Sequence, residues 1–295
     1  MNERRASRKE YSFGIIIVMA ILFLYAISLI VPMVWALLTS LKGTLDYIEN
    51  PLGLPKSYEF KNYLTAYQYF FVSIDQGGHT KFIYIEEMVL NSLLYAVGSA
   101  FFATLITCVA AYATSRFPYK FSKMVYWIVV ITMILPIVGS LPSEIQVTKF
   151  LGLYDTMIGM YILKANFLGL YFLVFHAMFK SIPQDYVDAA VMDGASNLKV
   201  FTRIMLPIVG KLFTTVMLIR FIEFWNDYQS PMIYLPTKPT LAVGLFNFSG
   251  STINAISSTP LKLAGALMVF IPIFIMFIFL QKRLIGGMSM GGIKE

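Results

Sequence analysis

Cysteine, histidine and charge are all scarce in this 295-residue chain: one cysteine, two histidines, and 13% Asp, Glu, Lys and Arg together. Cys108 alone cannot close an intramolecular disulfide, and among apolar neighbours it reads as a small packing residue. With only His79 and His176 beside it, no metal-ligand set of the usual spacing exists, and no Ser/His/Asp or paired-carboxylate constellation stands out as catalytic. No Gly-x-x-x-x-Gly-Lys-Ser/Thr segment occurs, so the chain lacks the glycine-rich cradle that holds nucleotide phosphates. No catalytic residue, metal or cofactor is expected. The basic residues are scattered over short loops rather than gathered on one soluble face, which sets aside a nucleic-acid partner.

Apolar sequence is abundant instead. Hydrophobic residues make up 58% of the chain and the mean hydropathy is +0.70, values that mark a polytopic membrane protein. A helix needs about 20 apolar residues to cross a hydrocarbon core about 30 Å thick. Five runs of this kind are visible, at residues 11–41, 88–115, 124–143, 156–179 (broken only by Lys164) and 263–281. A sixth, 212–235, carries Arg220, Glu223 and Asp227 and is assigned as a span because loop count and charge bias require it. The first run follows Arg4, Arg5, Arg8 and Lys9 but is too long for a signal peptide and lacks a clean cleavage site, so it is expected to remain as an anchor.

Six spans with the N-terminus inside place Arg4, Arg5, Arg8, Lys9, Arg116, Lys120, Lys123, Lys180, Lys199, Arg203, Lys211, Lys282, Arg283 and Lys294 in the cytoplasm. The smaller set Lys42, Lys56, Lys61, Lys81, Lys149 and Lys238 falls outside, as the positive-inside rule expects. The net charge of +7 is thus a topology signal. The division that follows is a cytoplasmic basic tail at 1–13, a six-helix transmembrane domain at 14–285 and a glycine-rich cytoplasmic tail at 286–295. In the second run, Ala96, Ala100 and Thr104 form one stripe and Ala103, Thr107 and Ala111 another, which predicts a closely packed central helix. Pro32, Pro136 and Pro272 sit in or near spans, where proline bends helices.

The loop 181–207 reads as two short helices joined at a glycine. Ser181 with Gln184 matches a capping box, with Pro183 in the first turn and Asp185 and Asp188 placed favourably near the positive end of the dipole. Pro183, Tyr186, Val187, Ala190 and Val191 then share one face. Gly194 suits the left-handed residue past a helix end, and Ser196 can cap the next helix. That second helix puts Leu198, Phe201 and Met205 on one face, with Ile204 beside them, and is expected to stop at Pro207.

Asp188-Ala189-Ala190, Asp193-Gly194-Ala195-Ser196, Phe201, Ile204, Leu206 and Pro207 resemble the EAA loop of binding-protein-dependent ABC permeases; Asp188 stands where that family usually has glutamate. Met133-Ile134-Leu135-Pro136, Leu151-Gly152-Leu153, Phe224-Trp225-Asn226-Asp227, the segment 239–245 and the tail 286–294 are similar to the second permease of maltose-type carbohydrate importers. The resemblance implies an all-α membrane protein with the type I importer (MetI-like) permease fold, multi-pass in the cell membrane with both termini cytoplasmic. It implies that 181–207 is a coupling helix seated on a separate ATPase, and that the tail reaches between ATPase subunits. The partners it implies are a second permease in a heterodimer, two ATPase subunits and an extracytoplasmic solute-binding protein. The solute it implies is an oligosaccharide or related polyol.

Arg220, Glu223 and Asp227, at i, i+3 and i+7, are expected on one helix face, where intramembrane charge points to a wet path or, alternatively, to an Arg220–Glu223 packing pair. Lys164 and Asp227 each lie about 12 Å deep; Lys164 either pairs with Asp227 or snorkels to the outer headgroups. Tyr154, Trp225, Tyr228 and Tyr234 offer faces for sugar stacking or serve as interfacial anchors, and Trp225 and Asn226 are the pathway candidates among the uncharged residues. An ion-coupled secondary transporter is the rival function, although no internal repeat is visible; a non-transporting scaffold is the third.

Overall fold

The structure, a computed structural model, describes residues 13–117, 119–135 and 139–288. The basic N-terminal tail, Pro136 and the tail from 289 onward lie outside the described residues. In chain order the elements are α1 (Phe13–Ser40), α2 (Thr44–Glu49), α3 (Lys61–Tyr69), β1 (Phe71–Gln76), β2 (His79–Tyr84), α4 (Ile85–Arg116), α5 (Lys120–Ile134), α6 (Leu141–Phe150), α7 (Met157–Lys164) and α8 (Leu170–Ser181). There follow α9 (Asp185–Met192), α10 (Asn197–Val200), a π-helical turn (Phe201–Met205), α11 (Leu206–Ile208), α12 (Gly210–Asn226), α13 (Gln229–Tyr234), α14 (Leu241–Gly250), a 3₁₀ turn (Asn254–Ile256) and α15 (Thr259–Met288).

The chain divides into two compact units, Met1–Tyr69 with Ser251–Met268, and Phe70–Gly250 with Val269–Glu295. In the first unit, α1 presents exposed apolar side chains along most of its length, as a lipid-facing helix must. At its C-terminal end Asn62 Nδ2 donates to Ser40 O and, just past the helix, to Lys42 O, both at 2.8 Å. The Lys42 ammonium, fully buried, donates to Asn50 O at 2.6 Å.

The second unit is organised around α4, against which α7, α8 and α12 all pack. The striped small residues Ala96, Ala100, Ala103, Thr104, Thr107 and Ala111 are all fully buried, together with Cys108. Small side chains let the neighbouring backbones come close, where dispersion and interhelical hydrogen bonds replace the hydrophobic drive that lipid removes. Gly98 marks a close approach to α7. A Cβ there would lie 2.3 Å from the Tyr161 ring, which is held by a hydrogen bond to Leu94 O at 2.9 Å and by stacking on Phe102.

Among the described residues the expected all-helical architecture holds except for one antiparallel hairpin, β1–β2, paired from Phe71↔Tyr84 to Gln76↔His79. Gly77 and Gly78, at φ 63° and 94°, supply the two left-handed residues that a two-residue hairpin turn demands. Ile74 and Ile83 anchor it in the core.

Among the described residues three helices are long and apolar enough to cross a membrane, at Gly14–Ser40, Ile85–Arg116 and Thr259–Phe279; a bent pair, Asn197–Ile208 with Gly210–Asn226 at 75°, is a fourth candidate. The runs 156–179 and 212–235 are not single helices. The first breaks between α7 and α8, where Asn166 Oδ1 accepts from Leu168 N (2.8 Å) and Gly169 takes φ 138°. The second breaks at Asp227, whose backbone turns extended. Pro32 and Pro272, by contrast, lie within the continuous helices α1 and α15.

Gly98→Ala is expected to destabilise the purified protein by about 1–3 kcal/mol through overpacking against Tyr161. Thermal unfolding in detergent checks it: Tyr161→Ala should recover most of the loss in the Gly98→Ala background, and an unchanged Gly98→Ala melting curve refutes the close approach.

Candidate translocation site and coupling loop

The loop 181–207 folds as a closed knuckle, with one correction at its start. Ser181 does not cap α9; it ends α8, with Oγ donating to Met178 O at 2.8 Å, and Gln184 at the N-cap makes no side-chain cap bond. The reason is Pro183, which drives Ile182 to extended backbone (φ −74°, ψ 129°) and moves the break past Ser181. Asp185 and Asp188 do occupy the first turn of α9, favourably placed on the dipole.

The other end of α9 closes as the sequence predicts. Ala195 N donates to Ala190 O and Gly194 N to Val191 O, both at 2.9 Å, with Gly194 at φ 78°. This is a Schellman motif, and Ala190 and Ala195 share the same apolar cluster, as its hydrophobic contact requires. Ser196 then caps α10, accepting from Lys199 N at 3.4 Å.

Beyond the joint two expectations shift. Leu198, in the first turn of α10, is 71% exposed, whereas Val200, Phe201, Met205 and Val209 are buried. Nor does Pro207 end the helix. Leu206 N donates to Phe201 O across the π-turn, and the wider turn accommodates a proline with no N–H to offer, so the helix runs to Ile208 and bends at Val209.

Of the residues in the family-like signature, Ala190 and Phe201 are buried, Ala195 and Leu206 partly so, and Asp188, Ala189, Asp193 and Pro207 are exposed. Asp188 accepts from Gln184 Nε2 at 3.2 Å. The buried side packs under Tyr112 of α4, whose ring lies 4.9 Å from Phe201 and 5.3 Å from Phe179. Arg116 adds a strut that the sequence reading counted only as a topological charge. Its Nη1 donates to Gln184 Oε1 (2.8 Å) and its Nη2 to Ile182 O (2.7 Å). The single apolar face expected for α9 is divided: Ala190 is buried, whereas Tyr186 and Val191 are exposed, as are Met192 and Leu198.

The charges of the sixth apolar run do not act as one row. Arg220 and Glu223 make no direct ion pair among the described residues; both meet Tyr171 of α8, the guanidinium 5.1 Å over its ring and the carboxylate accepting from its hydroxyl at 3.1 Å. Arg220 is buried, and its Nη2 donates to Thr107 Oγ1 on α4 at 3.1 Å. Asp227, beyond the end of α12, faces elsewhere. It accepts from Lys164 Nζ (3.1 Å), Tyr95 Oη (2.8 Å) and Ser230 N (3.0 Å). Of the two alternatives for Lys164, the structure selects pairing, and Ser230 Oγ accepts a second bond from its ammonium at 2.6 Å. Trp225 is buried against Phe221, and Asn226 Nδ2 donates to Ile222 O at 2.8 Å on the exposed side.

Beside the Lys164–Asp227 pair lies a cavity of about 520 Å³ whose lining includes Glu144, Lys164, Tyr228, Gln229, Ser230 and Tyr234. Tyr228 stacks on Phe246 at 4.8 Å and 11°, and Tyr234 Oη donates to Glu144 at 3.1 Å. Tyr154, the other aromatic singled out, donates to Ile233 O at 3.0 Å and carries Lys149 over its ring. Flat rings, hydroxyls, an amide, the Lys164 ammonium and the Glu144 carboxylate around one cavity suit a polyhydroxylated solute. Glu144 and Gln229 were missed because they lie far apart in sequence and carry no motif.

Lys164→Met and Asp227→Asn should each destabilise the protein, and the double variant should fall short of their sum by about 1 kcal/mol or more, since the pair is mostly buried. A double-mutant cycle on thermal stability that shows strict additivity dismisses the pair.

Known proteins supply a context for this geometry. Residues 103–289 match the family described as binding-protein-dependent transport system inner membrane component. The chain is 27% identical over 278 residues to the diacetylchitobiose uptake system permease protein NgcG of Streptomyces coelicolor, a match covering 92% of this chain and 86% of that one. It is 28% identical over 268 residues to the melibiose/raffinose/stachyose import permease protein MelC of Bacillus subtilis, covering 90% and 91%. With the arabinooligosaccharides permease AraQ of the same organism the identity is 26%, over 97% of this chain and 99% of that one. A bacterial ABC transporter involved in the import of the acidic polysaccharide alginate shares the fold, with a TM-score of 0.74, 21% identity and coverage of 94% of this chain and 98% of that one. The chain therefore belongs to the binding-protein-dependent transport system inner membrane components, the permease subunits of ABC importers.

Proposed function

We propose that this permease forms half of the path by which a carbohydrate, most simply an oligosaccharide, crosses the membrane, driven by ATPases that dock on the loop 181–207. The observation that carries the reading is the knuckle itself. Its joint is closed by a Schellman motif at Gly194, part of it is buried against α4, and it exposes the large apolar side chains of Tyr186, Val191, Met192 and Leu198 together with the acids Asp188 and Asp193. Such a surface has work left to do, because apolar side chains gathered on an exposed projection mark a docking face.

Six spans with both termini cytoplasmic accord with the charge bias, the broken runs counting as spans made of two helices. In that topology the knuckle faces the cytoplasm, where ATP is available. The remaining partners are a second permease in a heterodimer, two ATPase subunits and an extracytoplasmic binding protein. A carbohydrate is supported by the relatives, whose descriptions name oligosaccharides, and by the aromatic and hydroxyl lining of the cavity beside Lys164 and Asp227.

Gly194→Val places a β-branched side chain at φ 78°, a strain of about 1–2 kcal/mol that should lower the population of the docked knuckle and ATP-driven uptake by about tenfold. The assay is solute uptake into proteoliposomes that contain the chain with its ATPase, second permease and binding protein. Hydrolysis should persist while uptake falls. Uptake by the chain alone, driven by an ion gradient and indifferent to ATP, would establish the secondary-transporter reading instead.

A further inference from the structure

A second cleft, of about 730 Å³, opens where the C-terminal ends of α4 and α8 meet the N-terminal end of α5. Three lysines from two helices line it, Lys120, Lys123 and Lys180, and none of its lining residues is a carboxylate. Among the described residues none of the three makes a salt bridge. The positive-inside bias accounts for lysines at this end of the helices, but not for their collection around one cavity with no counter-charge among its described lining residues.

The local electrostatics point the same way. Lys120 and Lys123 stand in the first turn of α5, which holds no acidic residue and has no side-chain cap at Tyr119. The positive end of a helix dipole disfavours cations and leaves backbone N–H groups free to donate. An anion seated on a cationic first turn offsets that repulsion and takes up the free N–H groups. The cleft wall is aromatic: Tyr126 lies 5.0 Å from the His176 ring, and Trp127 is 52% exposed. Rings of this amphipathic kind belong at the level of the headgroups. Further along α5, Met124, Ile128 and Ile131 are exposed and apolar, a surface that suits an acyl chain.

We propose that this cleft binds the phosphate of an anionic phospholipid, with Lys120, Lys123 and Lys180 around the headgroup and the exposed apolar residues of α5 along its chain. The shared chemistry is a phosphate anion, and the apolar strip beside the lysines favours the lipid over a free ion. Its place at the bilayer surface rests on α5 and α8 lying in the membrane. The site is independent of solute and of ATP.

The test uses the full-length chain in its purified transporter assembly, in nanodiscs containing brominated-acyl phosphatidylglycerol or brominated phosphatidylcholine. The Trp127 signal is taken as the difference between wild type and Trp127→Phe. Quenching by brominated phosphatidylcholine reports that α5 touches lipid at all. Preference for phosphatidylglycerol should be about fivefold or more, fall to parity in K120Q/K123Q/K180Q and survive in K120R/K123R/K180R. Millimolar inorganic phosphate or glycerol phosphate should leave it intact. Parity in the wild type, absence of quenching by either lipid, or abolition by inorganic phosphate each overturns the proposal, the last by showing a small-anion site. Should the triple glutamine variant not assemble, the single Lys→Gln variants carry the comparison, and three unchanged preferences are equally decisive against it.

Discussion

The close approach of α7, α8 and α12 to the small-residue faces of α4 is the contact on which the second unit depends. In lipid, apolar side chains gain nothing by leaving one hydrocarbon for another, so tight packing and interhelical hydrogen bonds must hold the helices together. Thr107 shows both at once. Its side chain is small enough to be fully buried, it donates to Ala103 O at 2.7 Å, and it accepts from the Arg220 guanidinium at 3.1 Å. A larger residue there would push α12 away, and an apolar one would leave a buried arginine with one partner fewer.

That same packing makes the helix breaks tolerable. Irregular backbone at membrane depth survives only where protein or a wet cavity satisfies it. At the α7–α8 break, the Asn166 side chain and the positive φ of Gly169 turn the chain, and Asn166 O lies 3.4 Å from Thr107 Oγ1. At the α12–α13 break, Asp227 gathers Lys164, Tyr95 and Ser230. The two breaks bring polar groups from α7 and α13 to one cavity. Unbroken helices would have exposed fewer of them.

The knuckle is tied to this frame at several points. Arg116 bonds to Ile182 O and Gln184 at its entry, Tyr112 packs on Phe201 in its middle, and the π-turn with the 75° bend at Val209 leads into α12. A displacement of the knuckle thus reaches Arg220 through the bend at Val209 and α12, and Thr107 through α4. Asp188, shorter than the family's usual glutamate, leaves this inner packing untouched because it lies on the exposed side.

Features set by local chemistry were legible in the sequence: the left-handed Gly194 with its Schellman closure, the Ser196 cap, and the buried small stripe of α4. Each depends on neighbours within a turn or two, or on a composition that only one environment tolerates. The broken helices were not legible, because apolar content is blind to where Asn166 or Asp227 finds a partner. Pro183 displaced the expected cap at Ser181 by a local rule that competed with another. Only the tertiary structure could separate Arg220 and Glu223 from Asp227, since a helical wheel presumes that the helix continues, and it ends at Asn226. The pairing of Lys164 with Asp227, the strut from Arg116 and the meeting of Lys120 and Lys123 with Lys180 are contacts across 57 to 68 positions of sequence. Such contacts arise from how helices cross, and no spacing within one segment encodes that.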